Sequence, residues 1–154
     1  MRKFEIVQAY KDCDVLAPRR ATKHSAGYDL ASIEDIVIKP GEIKMIPTGL
    51  KALIPDNEVL FIYPRSSLGI KKGLMMSNGV GVVDADYYNN ENNEGHIMVP
   101  LYNFSKENAS VKKGERVAQG VFVGFQKTID DDPEHKQRLG GFGSSDKKVE
   151  KIKL

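Results

Sequence analysis

Asp35-Ile-Val-Ile-Lys-Pro-Gly-Glu-Ile-Lys-Met-Ile46 is a short β-prone run, a turn and a second β-prone run. Pro40 presets φ and Gly41 accepts a positive one, so Lys39–Glu42 reads as a tight turn with a stated mechanism. Val111-Lys-Lys-Gly-Glu115 repeats that logic ahead of a run at Arg116–Phe125. Other β-prone runs lie at Phe4–Val7, Val59–Tyr63 and Ile97–Phe104, separated by Pro18, Pro47, Gly49, Pro55, Pro64, Gly69 and Gly73. Many short strands at turn-length spacing predict an all-β fold: a sandwich, a jelly roll or a closed barrel. One segment departs from this pattern. Ser66–Lys72 follows a proline and predicts a single short helix, with Ser66 near an N-cap position and Lys71 and Lys72 in the last turn.

The 154 residues suit one domain, large enough to bury about 68–70% of its unfolded surface. One cysteine, Cys13, excludes an intramolecular disulfide and suits a reducing compartment. The amino terminus has no apolar signal core, and no apolar run reaches membrane-spanning length. A soluble, cytoplasmic chain without a membrane partner is expected. A formal net charge of +2 gives no argument for nucleic acid. The basic clusters at Lys71-Lys72, Lys112-Lys113, Arg138 and Lys147–Lys153 are solvated surface or a seat for a small anion. The polar stretch Asn89–Glu94 is expected to be a protruding hairpin tip, and the charged, glycine-bearing carboxy terminus a mobile arm.

Chemistry concentrates in Asn78-Gly-Val-Gly-Val-Val-Asp-Ala-Asp-Tyr87. An apolar run with two glycines leads to Asp84, and such a strand marks a bulge or a place where another molecule approaches the backbone. A carboxylate at its end is a candidate general base, although a plain hairpin with a polar turn fits the same residues. No phosphate loop, nucleophile elbow or His-Glu-x-x-His is present, and His24, His96 and His135 lack ligand spacing. What remains are anion-binding fragments. Arg65-Ser66-Ser67 offers a fork donor and two hydroxyls, and Gln119 offers an amide. In Arg138-Leu-Gly-Gly-Phe-Gly-Ser-Ser145 the glycines free backbone amides to cradle phosphate. Phe142, an aromatic in that polar stretch, is either an anchor for the arm or a lid that stacks on a base.

Five segments, in order and spacing, resemble the homotrimeric dUTP diphosphatase (dUTPase) family. They are Ala26-Gly-Tyr-Asp-Leu30, Pro64-Arg-Ser-Ser-Leu-Gly69, Gly79–Tyr87, Gly114-Glu-Arg-Val-Ala-Gln119 and Gly140-Gly-Phe-Gly-Ser-Ser145. The resemblance spans about residues 20 to 145. It implies a distorted jelly-roll β-barrel over 1–137, with a flexible arm over 138–154 that closes the active site. It further implies a homotrimer whose sites lie at subunit boundaries, the arm crossing to a neighbour. The implied reaction is hydrolysis of dUTP to dUMP and pyrophosphate by water attack at the α-phosphorus, which limits uracil in DNA and supplies thymidylate synthesis.

Residue by residue, the resemblance makes Asp84 the base that activates the water and meets the 3′-hydroxyl. Tyr87 would pack under the sugar and refuse a 2′-hydroxyl. Asn78, Gly81, Val82 and Val83 would read the uracil edge through their backbone, and Met98 would complete the pocket. Arg65, Ser66, Ser67 and Gln119 would hold phosphates and support the water. Arg138, Gly141, Gly143, Ser144 and Ser145 would close over the outer phosphates, with Phe142 stacked on uracil. The implied cofactor is Mg2+, held by triphosphate oxygens and waters without direct protein ligands, with Asp29 in its second shell or bracing the site.

Three features depart from the family pattern: Ser67 stands where many relatives have glycine, Tyr88 and Asn89–Glu94 replace a direct Arg-Gly continuation, and Arg138 is one residue closer to Phe142. A dCTP deaminase shares the Arg-Ser-Ser-Leu segment. Its reaction needs a glutamate where this chain has Pro100, which cannot move a proton. A nucleotide-sensing or interaction protein on the same fold is the other alternative. The polar insert and basic tail could then face a regulatory protein, although no motif specifies one.

Overall fold

The computed structural model describes residues 1–133 and 141–142. The all-β class expected from the turns holds, with one short helix, α1 (Ser66–Lys72), among the described residues. The strands are β1 (Lys3–Ile6), β2 (Arg19–Arg20), β3 (Tyr28–Ala31), β4 (Ile36–Ile38), β5 (Ile43–Pro47) and β6 (Leu50–Leu53). They continue with β7 (Glu58–Pro64), β8 (Leu74–Met76), β9 (Gly81–Val83), β10 (Met98–Asn103), β11 (Ala109–Val111) and β12 (Arg116–Gly124). All pairings are antiparallel. The largest sheet has the order β2-β3-β12-β7-β9; β5-β10-β8 form a second, and β1-β6 and β11-β4 form two-stranded ribbons.

The Lys39–Glu42 turn forms as its residues require: Gly41 has φ +76°, and the Glu42 amide donates to the Lys39 carbonyl at 3.0 Å. It does not close a hairpin. β4 pairs with β11 and β5 with β10, so the turn carries the chain from one sheet to another. Buried Asn103 secures that crossing, its side-chain amide donating to the Ile38 carbonyl at 2.8 Å and the Glu107 carbonyl at 2.7 Å. Leu30, Ile38, Ile46, Leu60, Leu74 and Leu101 are fully buried, and they draw the sheets together around one apolar cluster. Close packing there makes the strand ends rigid mounts for exposed side chains.

Two local expectations change. Ser66 is the first residue of α1 rather than its cap. Arg65 holds the N-cap position with extended backbone and no side-chain capping bond, while Gly73 ends the helix in the left-handed region at φ +62°. The strand expected across Asn78–Val83 is β9 alone. Residues before it form a turn in which Gly79 has φ +72° and its amide donates to the Met76 carbonyl at 3.1 Å. The outer face of β5-β10-β8 is apolar and exposed at Ile43, Met45 and Met75. Pairing of Tyr102 with Ile43 and Met75, and of Pro100 with Met45, makes that face continuous. Among the described residues no helix is long and apolar enough to cross a membrane.

Candidate functional site

β9 is the edge strand of the large sheet, and its register on β7 aligns Gly81 with Ile62, Val82 with Phe61 and Val83 with Leu60. Among the described residues it pairs on one side only. Asn78 of the preceding turn and the three residues of the strand border a cavity of about 310 Å³. Asn78, Gly81, Val82, Val83, Tyr87, Met98, Gly141 and Phe142, all expected from sequence, line this one cavity. Ile62, Met76, His96 and Ile97 line it too and were not anticipated. The size is at the small end for a ligand pocket and suits a flat ring. Gly81 has a packing reason as well: a Cβ there would lie 3.0 Å from the Ile62 Cβ.

Tyr87 is buried at the end of a 3-10 turn, Ala85–Tyr87, that starts directly after Asp84. Its hydroxyl donates to the His96 carbonyl at 3.0 Å and accepts from the Asn93 side-chain amide at 2.7 Å. Gly141 lies so close to this ring that an added Cβ would be 2.6 Å from the Tyr87 Cε2. Phe142 is 66% exposed at the cavity and has φ +52°, a strained backbone for an aromatic residue. Arg138, Gly143, Ser144 and Ser145 lie outside the described residues.

The expected protruding tip at Asn89–Glu94 is instead folded against the body. Asn90 is buried, and its side-chain amide donates to the Tyr87 carbonyl at 2.7 Å. Lys51, also buried, donates to the Asn89 Oδ1 at 2.6 Å and pairs with Glu94 at 2.5 Å. Lys51 and the Gln8 amide hold the Glu94 carboxyl below the usual carboxylate range. Asparagine side chains here do work that backbone groups do in regular structure. The neighbouring His96 is buried, and its Nε2 accepts from the Gly49 amide at 2.9 Å, which fixes a neutral ring. Burial pushes its pKa down, with Glu94 opposing.

A second cluster gathers Asp29, Arg65 and Gln119. Asp29 pairs with Arg65 at 3.3 Å and with Arg116 at 3.2 Å. Gln119 stands between Asp29 on β3 and Tyr63 on β7, and its side-chain amide donates to the Pro64 carbonyl at 3.3 Å. Gly27 permits this placement, because a Cβ there would lie 2.4 Å from the Gln119 Oε1. Ser66 and Ser67 are exposed on the first turn of α1. Arg116 was not anticipated; it lines a hollow of about 400 Å³ with Arg19, Arg20 and Asp29. Among the described residues no group of three or more His, Cys, Asp or Glu side chains comes together to hold a metal.

One chain does not join these clusters. Val83 faces Leu60, so Asp84 follows on opposite Val59. Arg65 lies six positions further along β7 and just past it, about 20 Å away at ~3.3 Å per strand residue. Asp84 instead borders a cleft with Asp56, Glu58, Asp86 and Phe125, and Arg2 is paired to Glu58 there. Asp86 is exposed, as its turn position leads one to expect.

The family model for dUTPase matches residues 14–146. Over 146 residues the chain is 51% identical to the deoxyuridine 5'-triphosphate nucleotidohydrolase of Lactococcus lactis subsp. lactis, covering 94% of this chain and 97% of the relative. The protein of the same description from Rickettsia felis is 40% identical over 134 residues, 83% of this chain and 86% of the relative. The crystal structure of dUTPase from Streptococcus mutans superposes with a TM-score of 0.78 at 48% identity, over 83% of this chain and 98% of that one. A dUTPase of the Staphylococcus aureus phage phi11, 20% identical, shares the fold with a TM-score of 0.70, over 88% of this chain and 98% of that one.

Proposed function

The chain belongs to the dUTPase family and hydrolyses dUTP, and from that premise we propose how its own residues perform the reaction. The observation that carries the proposal is the cavity beside β9, with Tyr87 in its wall and Asp84 next in the chain after Val83. Uracil enters this cavity and is read by main-chain groups of β9 and its preceding turn. Met98 contributes to the opposite wall, and Phe142 covers the base from the mouth. Tyr87 lies under the deoxyribose and leaves no room for a 2′-hydroxyl.

Asp84 orients a water and takes its proton as the water oxygen bonds to the α-phosphorus. The α–β bridging bond breaks, its electrons leave on pyrophosphate, and dUMP remains. Arg65, Ser66, Ser67 and Gln119 hold phosphate oxygens and place the water in line. Arg138, Gly143, Ser144 and Ser145, with the Gly141 backbone, close over the outer phosphates. Asp29 braces Arg65 and Arg116, keeping two guanidinium groups aimed at one anion.

Magnesium fits this donor set, because both Asp29 oxygens are engaged by arginines and the remaining ligands it prefers are phosphate oxygens and water. When bound, it supplies positive charge to the departing pyrophosphate. The residues themselves bind, orient and move the proton.

The ~20 Å between Asp84 and Arg65 along β7 favours a site completed by another copy of the chain, with a homotrimer as the assembly. The exposed apolar face at Ile43, Met45 and Met75 offers a surface for such association. A cytoplasmic setting belongs to this reading and suits a chain whose single cysteine, Cys13, is exposed. Pyrophosphate release with dUTP and magnesium, beside UTP and dTTP, tests the proposal. Release from dUTP alone is the expected result, and no release from dUTP would refute it.

A further inference from the structure

The segment that replaces the usual continuation after Tyr87 holds that residue at both ends. We propose that Asn93 is a positioning residue for Tyr87, and that through it this segment sets how strictly the pocket refuses ribonucleotides. The inference rests on the reading of Tyr87 as the ring beneath the sugar.

The geometry identifies which way the Asn93 amide points. Its Oδ1 receives the Gly95 backbone amide at 3.1 Å and the Asn90 side-chain amide at 2.8 Å. A backbone N–H can only donate, so the oxygen must lie on that side, and Nδ2 faces the Tyr87 hydroxyl at 2.7 Å. Because the hydroxyl accepts that bond, its own proton goes to the His96 carbonyl at 3.0 Å. At the other end of the residue, the Tyr87 carbonyl accepts from Asn90 at 2.7 Å.

Asn90 is itself fixed. Its Oδ1 accepts from the Asn92 amide at 3.0 Å and the Asn93 amide at 3.2 Å. Lys51 clamps the ends of the segment through Asn89 and Glu94. The backbone is tightly wound, with Asn89, Glu94 and Gly95 all at positive φ. A Cβ on Gly95 would meet the Tyr87 carbonyl at 2.6 Å. Such a loop is a poor protruding tip and a good mount.

The consequence for specificity is physical. A steric gate discriminates only as far as it cannot yield, and an aromatic ring hinges about its Cβ unless its far end is tied. The two bonds to Oη tie that end. The same ring already has the Gly141 backbone against its Cε2 edge, so a small tilt changes the space below the sugar and the seat of Gly141 together.

Asn93→Asp is the test variant. It keeps the acceptor oxygen for Asn90 and Gly95 but cannot donate to the phenol, whose single proton must then choose between the new carboxylate and the His96 carbonyl, so one of the two bonds to Oη is lost. Values of kcat/KM for dUTP and UTP are measured for the wild-type chain, Asn93→Asp, Tyr87→Phe and the double variant. Uncharged Asn93→Ala serves as a second probe, and Tyr87→Ala as a control on the gate. Asn93→Asp and Tyr87→Phe are each expected to lower the dUTP-to-UTP preference about tenfold, the worth of roughly one hydrogen bond. The double variant should add less than about twofold more, because without the hydroxyl the Asn93 Nδ2 has no hold on the ring. An unchanged preference in both Asn93 variants while Tyr87→Ala loses it overturns the inference and leaves the gate standing. Additive effects in the double variant, or loss of folding by Asn93→Asp alone, also overturn it. An unchanged preference in Tyr87→Ala overturns the gate and this inference with it.

Discussion

If Asp84 and Arg65 serve one substrate from different copies of the chain, two inactive variants should repair each other. Asp84→Asn removes the proposed proton acceptor and should cost at least about 10²-fold in turnover. Arg65→Ala removes a phosphate-holding cation and should cost about 10²–10³-fold. The register of β9 on β7 pairs Val83 with Leu60, and continued by one residue it carries Asp84 opposite Val59, about 20 Å along the strand from Arg65. That span exceeds what both side chains can bridge to one α-phosphorus. In a cyclic trimer each site would take Asp84 from one copy and Arg65 from the next. Random assembly from an equimolar mixture makes the first copy competent half the time and the second copy competent half the time, so about a quarter of sites recover. The assay is denaturation and joint refolding of the two variants, followed by dUTP-dependent pyrophosphate release. Recovery to roughly 25% of wild-type turnover, against a background near 1%, is the expected outcome. A mixture that assembles yet stays at background would refute the division of the site.

Two further perturbations follow from single contacts. Gly141→Ala would place a Cβ at 2.6 Å from the Tyr87 ring, an overpacking worth roughly 1–3 kcal/mol. It should raise the KM for dUTP by about tenfold or more, as steady-state kinetics would record. His96 should give the fold an acid-sensitive edge. Its folded pKa is lowered by burial, so the unfolded chain binds more protons below the ordinary histidine value of about 6.5. Stability is therefore full above that pH and declines as pH falls toward the lowered value. Tm measured from pH 7 to 5 should fall more steeply for the wild-type chain than for His96→Gln.

How far the sequence could be read depended on the range of the interactions involved. The Lys39–Glu42 turn and α1 were legible because Pro40, Gly41, Pro64 and Gly73 act on their own backbone or that of their immediate neighbours. The residues of the β9 cavity were legible through a motif, and the cavity gathers them around one space. The separation of Asp84 from Arg65 was not legible. It depends on the pairing of β7 with both β9 and β12, a non-local register that no local pattern encodes. Arg116 does not stand out in the sequence, because a single arginine on a strand reads as surface until Asp29 is seen beside it. Asn89–Glu94 departs from its expected exposure for a chemical reason. Its asparagines look like solvent-seeking turn residues, yet Asn90 and Asn93 spend their amides on Tyr87. Buried polar groups with complete partners cannot be told from exposed ones by composition.

The most direct measurement is a single turnover of dUTP in ¹⁸O-labelled water, with mass analysis of both products. The account expects the label in dUMP and none in pyrophosphate, because the water held by Asp84 attacks the α-phosphorus. Label in the pyrophosphate would place the attack at the β-phosphorus and contradict the assignment of the site.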